Sequence, residues 1–428
     1  MSAMKNELAL FHSGTKEKGV QEICWINFRP VSQISNSSAI EFNINGTSSD
    51  YILLSKTRLH VKVRILRSDG TPVQVTDDVA LVNLGLHSLF RQVDILLNQQ
   101  IISTGVGTNY PYKSLIDVTL AYDHGEKSTQ LLSELYTKDS SFYMSDTLSN
   151  VGHLQRKSYT QHGIADLEGV LHMDVAQQPK AIPNGVQVTV KLFQHDDSFR
   201  LLSAGGATYG VEIVDAVLKV CHIKVEPKVI VAQNEILLKT PAVYPLWKSE
   251  IKTYGIAQGS YTFSIDDMFH GIVPARLIVG LVLSSGYSGS FDKNPFDFNH
   301  FYLNYLELSV DGQSVPSVAF QPHYQDNPDV AGQILPTGYV AEFLSLFKNH
   351  YPQTGGNWIE RQEYPCGYAL YVFNLKPGVD DKLFSSLQSG HTRLNARFAQ
   401  ELPEPVTVIA YGIFPSNFKI DHARNVIV

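Results

Sequence analysis

Cysteine is almost absent: three residues, Cys24, Cys221 and Cys366, are scattered far apart through 428 positions. They form no CxxC pair and no regular framework, which argues against a disulfide-stapled scaffold or a cysteine zinc cluster and leaves buried free thiols in a reducing compartment. Charge is scarce too. Charged residues make up 18% of the chain, below the roughly 25% usual for globular proteins. The balance of 34 Lys+Arg against 41 Asp+Glu gives a net charge of −7, with no basic run. Such a body does not grip a phosphate backbone tightly, so at most weak, non-specific contact with DNA is expected. The stretch 1–18 sets Lys5, Lys16 and Lys18 against Glu7 and Glu17 and is no basic arm. Long apolar runs are missing as well. The stretch 278–283, with Gly280 inside it, is far too short to cross a bilayer, and the N-terminus has no signal-peptide apolar core. No membrane span and no secretion through a signal peptide are expected, and the sequons at Asn36 and Asn45 are taken as chance triplets.

Catalytic patterns are equally hard to find. There is no GxxxxGK[ST], no GxGxxG and no HExxH, hence no phosphate nest and no helical histidine pair for zinc. Gly286-Tyr-Ser-Gly-Ser has the wrong glycine spacing for a nucleophile elbow and reads as a flexible loop. The pairs Asp196-Asp197, Asp266-Asp267 and Asp380-Asp381 are not ready-made dyads, because neighbours on a strand face opposite ways; turn or cap roles are expected. Fifteen histidines show no metal-ligand spacing. His195, His222 and His300 read as ordinary hydrogen-bonded residues. No catalytic, cofactor-binding or metal residue is assigned, no cofactor is implied, and the chain is not expected to be an enzyme.

What the chain has is strand. Hydrophobic residues reach 43%, with 21 Tyr and 21 Phe, a mixture that suits sheets and broad contact surfaces. Short alternating segments bounded by Gly, Pro, Asn and Asp predict strands near 39–45, 58–67, 90–97, 167–175, 186–193 and 211–225 in the first half. In the second half they fall near 244–257, 261–265, 276–283, 302–310, 368–375, 391–399 and 406–413. In the strand predicted at 58–67, Leu59, Val61, Val63 and Ile65 share one face, and His60, Lys62 and Arg64 the other. Asp69-Gly70 and Asp311-Gly312 predict hairpin turns. Apolar spacing predicts only two helices, over 112–122 and 338–348. The long polar stretches 124–166 and 313–365 are expected to carry interaction loops projecting from one end of each sandwich.

A chain of this length favours two domains. The strand, turn and strand from Phe90 through Asn98 to Ile102 matches the design of Tyr302 through Asp311 to Val315, and Asn98 and Asp311 are separated by half the chain to within one position. A helix follows each hairpin, and Val188-Thr-Val and Val406-Thr-Val are taken as matching closing strands. An internal duplication follows, with a boundary at Glu226-Pro227, where proline cannot continue a central ladder. The expected domains are 1–226, opening with a short arm of about twenty residues, and 227–428.

The segment Asn294-Pro-Phe-Asp-Phe-Asn-His-Phe, running into Tyr302-Leu-Asn-Tyr-Leu-Glu-Leu-Ser-Val-Asp-Gly-Gln-Ser-Val-Pro, resembles the second-half pattern of Polinton/Maverick major capsid proteins, the shell proteins of virus-like DNA transposons. Ile40-Glu-Phe-Asn-Ile-Asn-Gly, Asp50-Tyr-Ile-Leu-Leu-Ser and the strand from Leu59 to Asp69-Gly70 are similar to that family's opening. The resemblance implies an all-β fold of two tandem eight-stranded antiparallel jelly-roll β-sandwiches with short helices in long loops. It implies a homotrimer that forms a pseudo-hexameric capsomer, the capsomers tiling an icosahedral shell around double-stranded DNA. The implied partners are other copies of the chain, neighbouring capsomers and a penton or minor capsid protein. The implied place is a virion or virus-like capsid, assembled in the cytoplasm or nucleus of the host cell. A tandem β-sandwich that binds glycans or adheres to surfaces would share the alternation, although three tryptophans, Trp25, Trp247 and Trp358, are few for a sugar-stacking surface.

Overall fold

The computed structural model describes residues 19–35, 38–46, 50–102, 106–204, 206–330, 333–347, 356–375 and 388–428. The first half builds eight sandwich strands: β1 (Val20–Phe28), β2 (Ile40–Ile44), β3 (Asp50–Arg67), β4 (Phe90–Leu97), β5 (Gln100–Ile101), β6 (Ile164–Val170), β7 (Val188–Gln194) and β8 (Tyr209–Val225). They form two sheets, ordered β1-β8-β3-β6 and β2-β7-β4-β5. The second half builds β9 (Ala242–Ile256), β10 (Thr262–Asp266), β11 (Arg276–Leu283), β12 (Leu303–Val310), β13 (Gln313–Ser314), β14 (Leu370–Asn374), β15 (Thr392–Phe398) and β16 (Val406–Ile420). These pair as β9-β16-β11-β14 and β10-β15-β12-β13. Adding eight to each label of the first half yields the second, and every neighbouring pair is antiparallel.

Alternation explains the layers. Along β3, Leu59, Val61, Val63 and Ile65 are at most 1% exposed and pack between the sheets, while the outer face carries cross-strand pairs such as His60 with Asp166 and Arg64 with Glu212. The expected hairpin repeat is present in backbone as well as sequence. Asn98 and Gln99 hold φ of 46° and 68°, and Asp311 and Gly312 hold 48° and 81°, the left-handed pair that a two-residue turn between twisted strands requires.

Four helices matter below: α1 (Tyr110–Ala121), α2 (Val151–Thr160), α3 (Pro227–Leu237) and α4 (Val340–Ser345). The predicted helices 112–122 and 338–348 correspond to α1 and the shorter α4, and each follows its hairpin. Position 348 of the second lies outside the described residues.

Several expectations are corrected. Val188 and Val406 are not equivalent: Val188 opens β7, whose counterpart is β15, whereas Val406 opens β16, the counterpart of β8. The strand predicted at 167–175 runs over β6 and then yields to a helical turn at Asp174–Gln177, and the last predicted strand continues to Ile420. The stretch 124–166 does not project. It folds back through a 3-10 turn at Gln130–Glu134 and through α2, burying Lys127, Glu134, Asp139, Asn150 and Arg156. In the stretch 313–365, Tyr324, Tyr339 and Tyr364 stack in series on the second sandwich, and Tyr324 meets the Tyr371 hydroxyl at 3.0 Å.

Candidate functional site

Since no residue had been assigned a catalytic role, the polar chemistry inside the molecule indicates what the chain is built to do. Much of it lies where the two sandwiches meet. Helix α1 is buried almost all round, unlike a surface helix with one apolar stripe. Its Tyr112 hydroxyl donates to the Pro295 carbonyl at 3.0 Å, and the ring stacks on Tyr287 and meets Phe296 edge-on. Burial raises the Tyr112 pKa well above its usual value, so the hydroxyl stays a donor.

The next residue, Lys113, is 0% exposed, with Nζ 2.7 Å from Asp117 and 3.3 Å from Asp174. Burial opposes its charge, but Asp117, Tyr411 and Asp174 outweigh burial, and its pKa is raised. The same carboxylates reach into the other half. Asp174 accepts from the Ser249 amide at 2.7 Å and the Ser249 hydroxyl at 2.8 Å, and Asp117 accepts from the Tyr411 hydroxyl at 2.8 Å. A lysine and two aspartates of the first sandwich thus fasten β9 and β16 of the second. Removing one partner of such a buried pair costs about 3–5 kcal/mol, because the other is left uncompensated.

A second fastening centres on Arg156 of α2, wholly buried. It donates to the Leu81 carbonyl, to Thr137 and to Asp139, the last at 2.7 Å. Asp139 also accepts from the Asn294 amide group at 3.3 Å, and its backbone carbonyl accepts from the Tyr368 hydroxyl at 2.7 Å. Asn294 in turn donates to the Met144 carbonyl, and its own amide to the Ser145 hydroxyl. The Asn-Pro-Phe segment singled out in the sequence is therefore the plug of the second half in the first. Arg424 reaches Asn184 of the first half and Asn234 of α3, each at 2.9 Å.

Asp196 and Asp197 sit at the start of a helical turn and Asp267 at the head of a turn, whereas Asp266 ends strand β10. Asp197 accepts from Arg200 and from the Val211 amide, and Asp267 from the Gly271 amide at 2.7 Å, while Asp266 pairs with Arg393 at 3.0 Å. Asp380-Asp381 lies outside the described residues. Gly286-Tyr-Ser-Gly-Ser is not a flexible loop: a helical turn covers Ser284–Ser288, and Tyr287 donates to Asn109 at 2.9 Å. His195 and His300 each accept a backbone hydrogen bond at 2.8 Å. His222 corrects the expectation, because neither ring nitrogen has a hydrogen-bond partner among the described residues; the ring stacks on Phe28. Cys221 and Cys366 are buried and Cys24 is half-buried.

One constellation left no mark in the sequence. His87, Glu134 and His172 converge inside the first sandwich with ligand atoms within 4.8 Å of one another. His87 Nε2 lies 3.1 Å and His172 Nε2 3.7 Å from the Glu134 carboxylate, and His87 Nδ1 meets the Tyr110 hydroxyl at 2.8 Å. Burial lowers the His87 pKa against the pull of Glu134. Burial alone would raise that of Glu134, but the two imidazoles beside its carboxylate bring it down to about 2. The three residues are some forty positions apart, so no spacing rule finds them.

The outer surface is unusual on α2. Its buried face is Gly152, His153, Arg156 and Thr160, and its exposed face carries Val151 and Leu154, preceded by Leu148 at 76% exposure. Polar inside and apolar outside reverses the usual order for a surface helix. Strand β1, which among the described residues pairs with β8 alone, also exposes Ile23, Trp25 and Ile26.

Solved structures share the fold. A chain of the Sputnik virophage particle matches with a TM-score of 0.63 at 12% identity, covering 100% of this chain and 92% of its own. The mavirus major capsid protein matches at 0.54 and 12%, covering 100% and 95%, and the Faustovirus major capsid protein at 0.55 and 10%, covering 96% and 92%. This chain is a double jelly roll. A Caenorhabditis elegans protein of uncharacterised function is 22% identical over 401 residues, 91% of this double jelly roll and 92% of its own length. No protein-family model matches the chain. No helix among the described residues is long and apolar enough to cross a membrane.

Proposed function

We propose that this double jelly roll is a major capsid protein of the Polinton/Maverick kind, a structural subunit that forms homotrimers and, through them, a shell around double-stranded DNA. The observation that carries this is the exact repetition of an eight-strand order in one chain, over the whole length of which capsid proteins superpose. Two like sandwiches in each of three chains give six similar positions, so closed threefold symmetry produces a near-hexagonal tile. The division into units of 1–226 and 227–428 belongs to the same proposal: the sandwich strands on each side pair among themselves, and α3 begins at Pro227.

The seam supports a load-carrying role. Hydrogen bonds from Ser249, Tyr411, Asn294 and Tyr368 of the second half to Asp174, Asp117 and Asp139 of the first hold the halves at one angle, which a tile needs and a hinged two-domain enzyme does not. The apolar outer face of α2 and the open edge of β1 are proposed to lie against neighbouring copies. A net charge of −7 suits a wall whose grip on packaged DNA is weak. A penton or minor capsid protein as further partner, and assembly inside the host cell, complete the proposal.

Size-exclusion chromatography with light scattering tests it. The full chain is expected at three times its 47.6 kDa, and electron microscopy of the concentrated protein should show hexagonally packed tiles or closed shells. A monomer that persists at micromolar concentration defeats the proposal.

A further inference from the structure

The first sandwich holds a donor set that its hydrogen bonds do not use up. His87 comes from the helical turn Gly85–Ser88, Glu134 ends the 3-10 turn Gln130–Glu134, and His172 follows β6. Their side chains are 1%, 6% and 2% exposed. Three features point to a ligand among them. His172 Nε2 is buried without a hydrogen-bond partner among the described residues, and it faces the Glu134 carboxylate. Among the described residues the groups at ion-pair distance from that carboxylate are the two imidazoles. Strand β6 also makes room for it: a Cβ on Gly169 would meet the Glu134 side chain.

We propose that His87, Glu134 and His172 form a structural site for a divalent transition-metal ion, with Zn²⁺ as the best fit. Two imidazoles and one carboxylate are a zinc donor set, and bonds of about 2.0–2.1 Å in a tetrahedron need donors roughly 3.3–3.4 Å apart. The distances of 3.1 Å and 3.7 Å to Glu134 bracket that spacing. The second layer fits as well. When Nδ1 of His87 carries the proton and donates to the Tyr110 hydroxyl, Nε2 is free to ligate, which is how ligand histidines are usually oriented. Tyr110 also accepts from the His172 amide at 3.3 Å, so one hydroxyl steadies both histidine ligands. A solvent oxygen takes the fourth position. Because the site is closed, its part is to tie two loop turns to the end of β6 at the start of α1, not to turn over a substrate.

The test is metal content and metal-dependent stability of the full chain. Purified in metal-free buffer, it is expected to retain roughly one zinc per chain by elemental analysis. Chelation under mildly denaturing conditions should lower its melting temperature, and Co²⁺ added back should restore that temperature and give the visible bands of a tetrahedral site. His172→Gln and Glu134→Gln should each lower bound metal at least tenfold and remove the chelator's effect. Zinc-free wild type with an unchanged melting temperature and no Co²⁺ bands overturns the site, as does undiminished metal in a folded His172→Gln. Should both variants fail to fold, the wild-type Co²⁺ spectrum alone decides.

Discussion

Three histidines away from the proposed metal site, His153 and His300 buried and His195 half-buried, have pKa values far below the ordinary 6.5. Burial brings His195, His153 and His300 each down to about 4, against the opposing pull of nearby aspartates. His195 lies flat on Phe199 at 3.8 Å, and His300 stacks on Tyr324 at 4.3 Å. A lowered folded pKa means that the unfolded chain takes up protons first. Their contribution is therefore complete above pH 6.5 and is lost as pH falls from 6.5 through 4, about 1.4 kcal/mol for each pH unit crossed. Asp297 runs the other way. Burial and Asp139 raise its pKa to about 6, so its contribution is present below 3.8 and fades as pH rises through 6. Three groups against one predict a urea midpoint that drops between pH 7 and 4.5, and a shallower drop in His195→Phe, which keeps the ring stack. A midpoint that stays level over that range rejects the prediction. The hydrogen bonds expected of His195 and His300 are present, but their aromatic partners Phe199 and Tyr324, four and twenty-four positions on, left no signal in the sequence.

Elements were more legible than side chains, because alternation reports directly on a sheet with one face in the core. Strands β4, β11 and β12 match their predicted bounds within one residue, whereas only the last ten residues of β3 carry a clean period and its first eight lie outside the prediction. Strand β1 gave no such signal: its exposed Ile23, Trp25 and Ile26 break the in-and-out order at a sheet edge. Helix α2 was invisible for a related reason, since its buried side is an arginine and a histidine and its exposed side is apolar. Helix α3 buries none of its residues and left no amphipathic stripe. Within β11 one residue departs from the bulky pattern. A Cβ on Gly280 would lie 2.6 Å from the Phe298 ring and 3.0 Å from Leu370, so the plug segment packs where that strand has no side chain. Gly280→Ala is expected to cost about 1–3 kcal/mol by overpacking, and Phe298→Leu in the same chain should recover part of it. Equal urea midpoints for wild type and Gly280→Ala would show that the ring has room to move.

At the scale of the whole molecule, duplication was the feature most firmly carried by sequence, through one hairpin at half the chain length; the strand order then shows that the closing Val-Thr-Val match was coincidental. The seam was only half legible. Asn294-Pro-Phe stood out as a pattern, but its partners Asp139, Met144, Ser145 and Tyr112 lie in segments about 150 to 180 residues away. A rigid seam and an inverted α2 carry one consequence for assembly. If the outer face of α2 is covered by a neighbouring copy, two carboxylates placed there must be desolvated without partners whenever copies meet. In the isolated chain the same positions are surface, where substitutions usually change stability by about 0.5 kcal/mol or less. Leu148→Glu combined with Leu154→Glu is therefore expected to leave the melting curve of the monomer nearly unchanged and to shift light scattering from trimer to monomer. A variant that still forms the trimer places the contact elsewhere, with the open edge of β1 and its Trp25 as the next surface to charge.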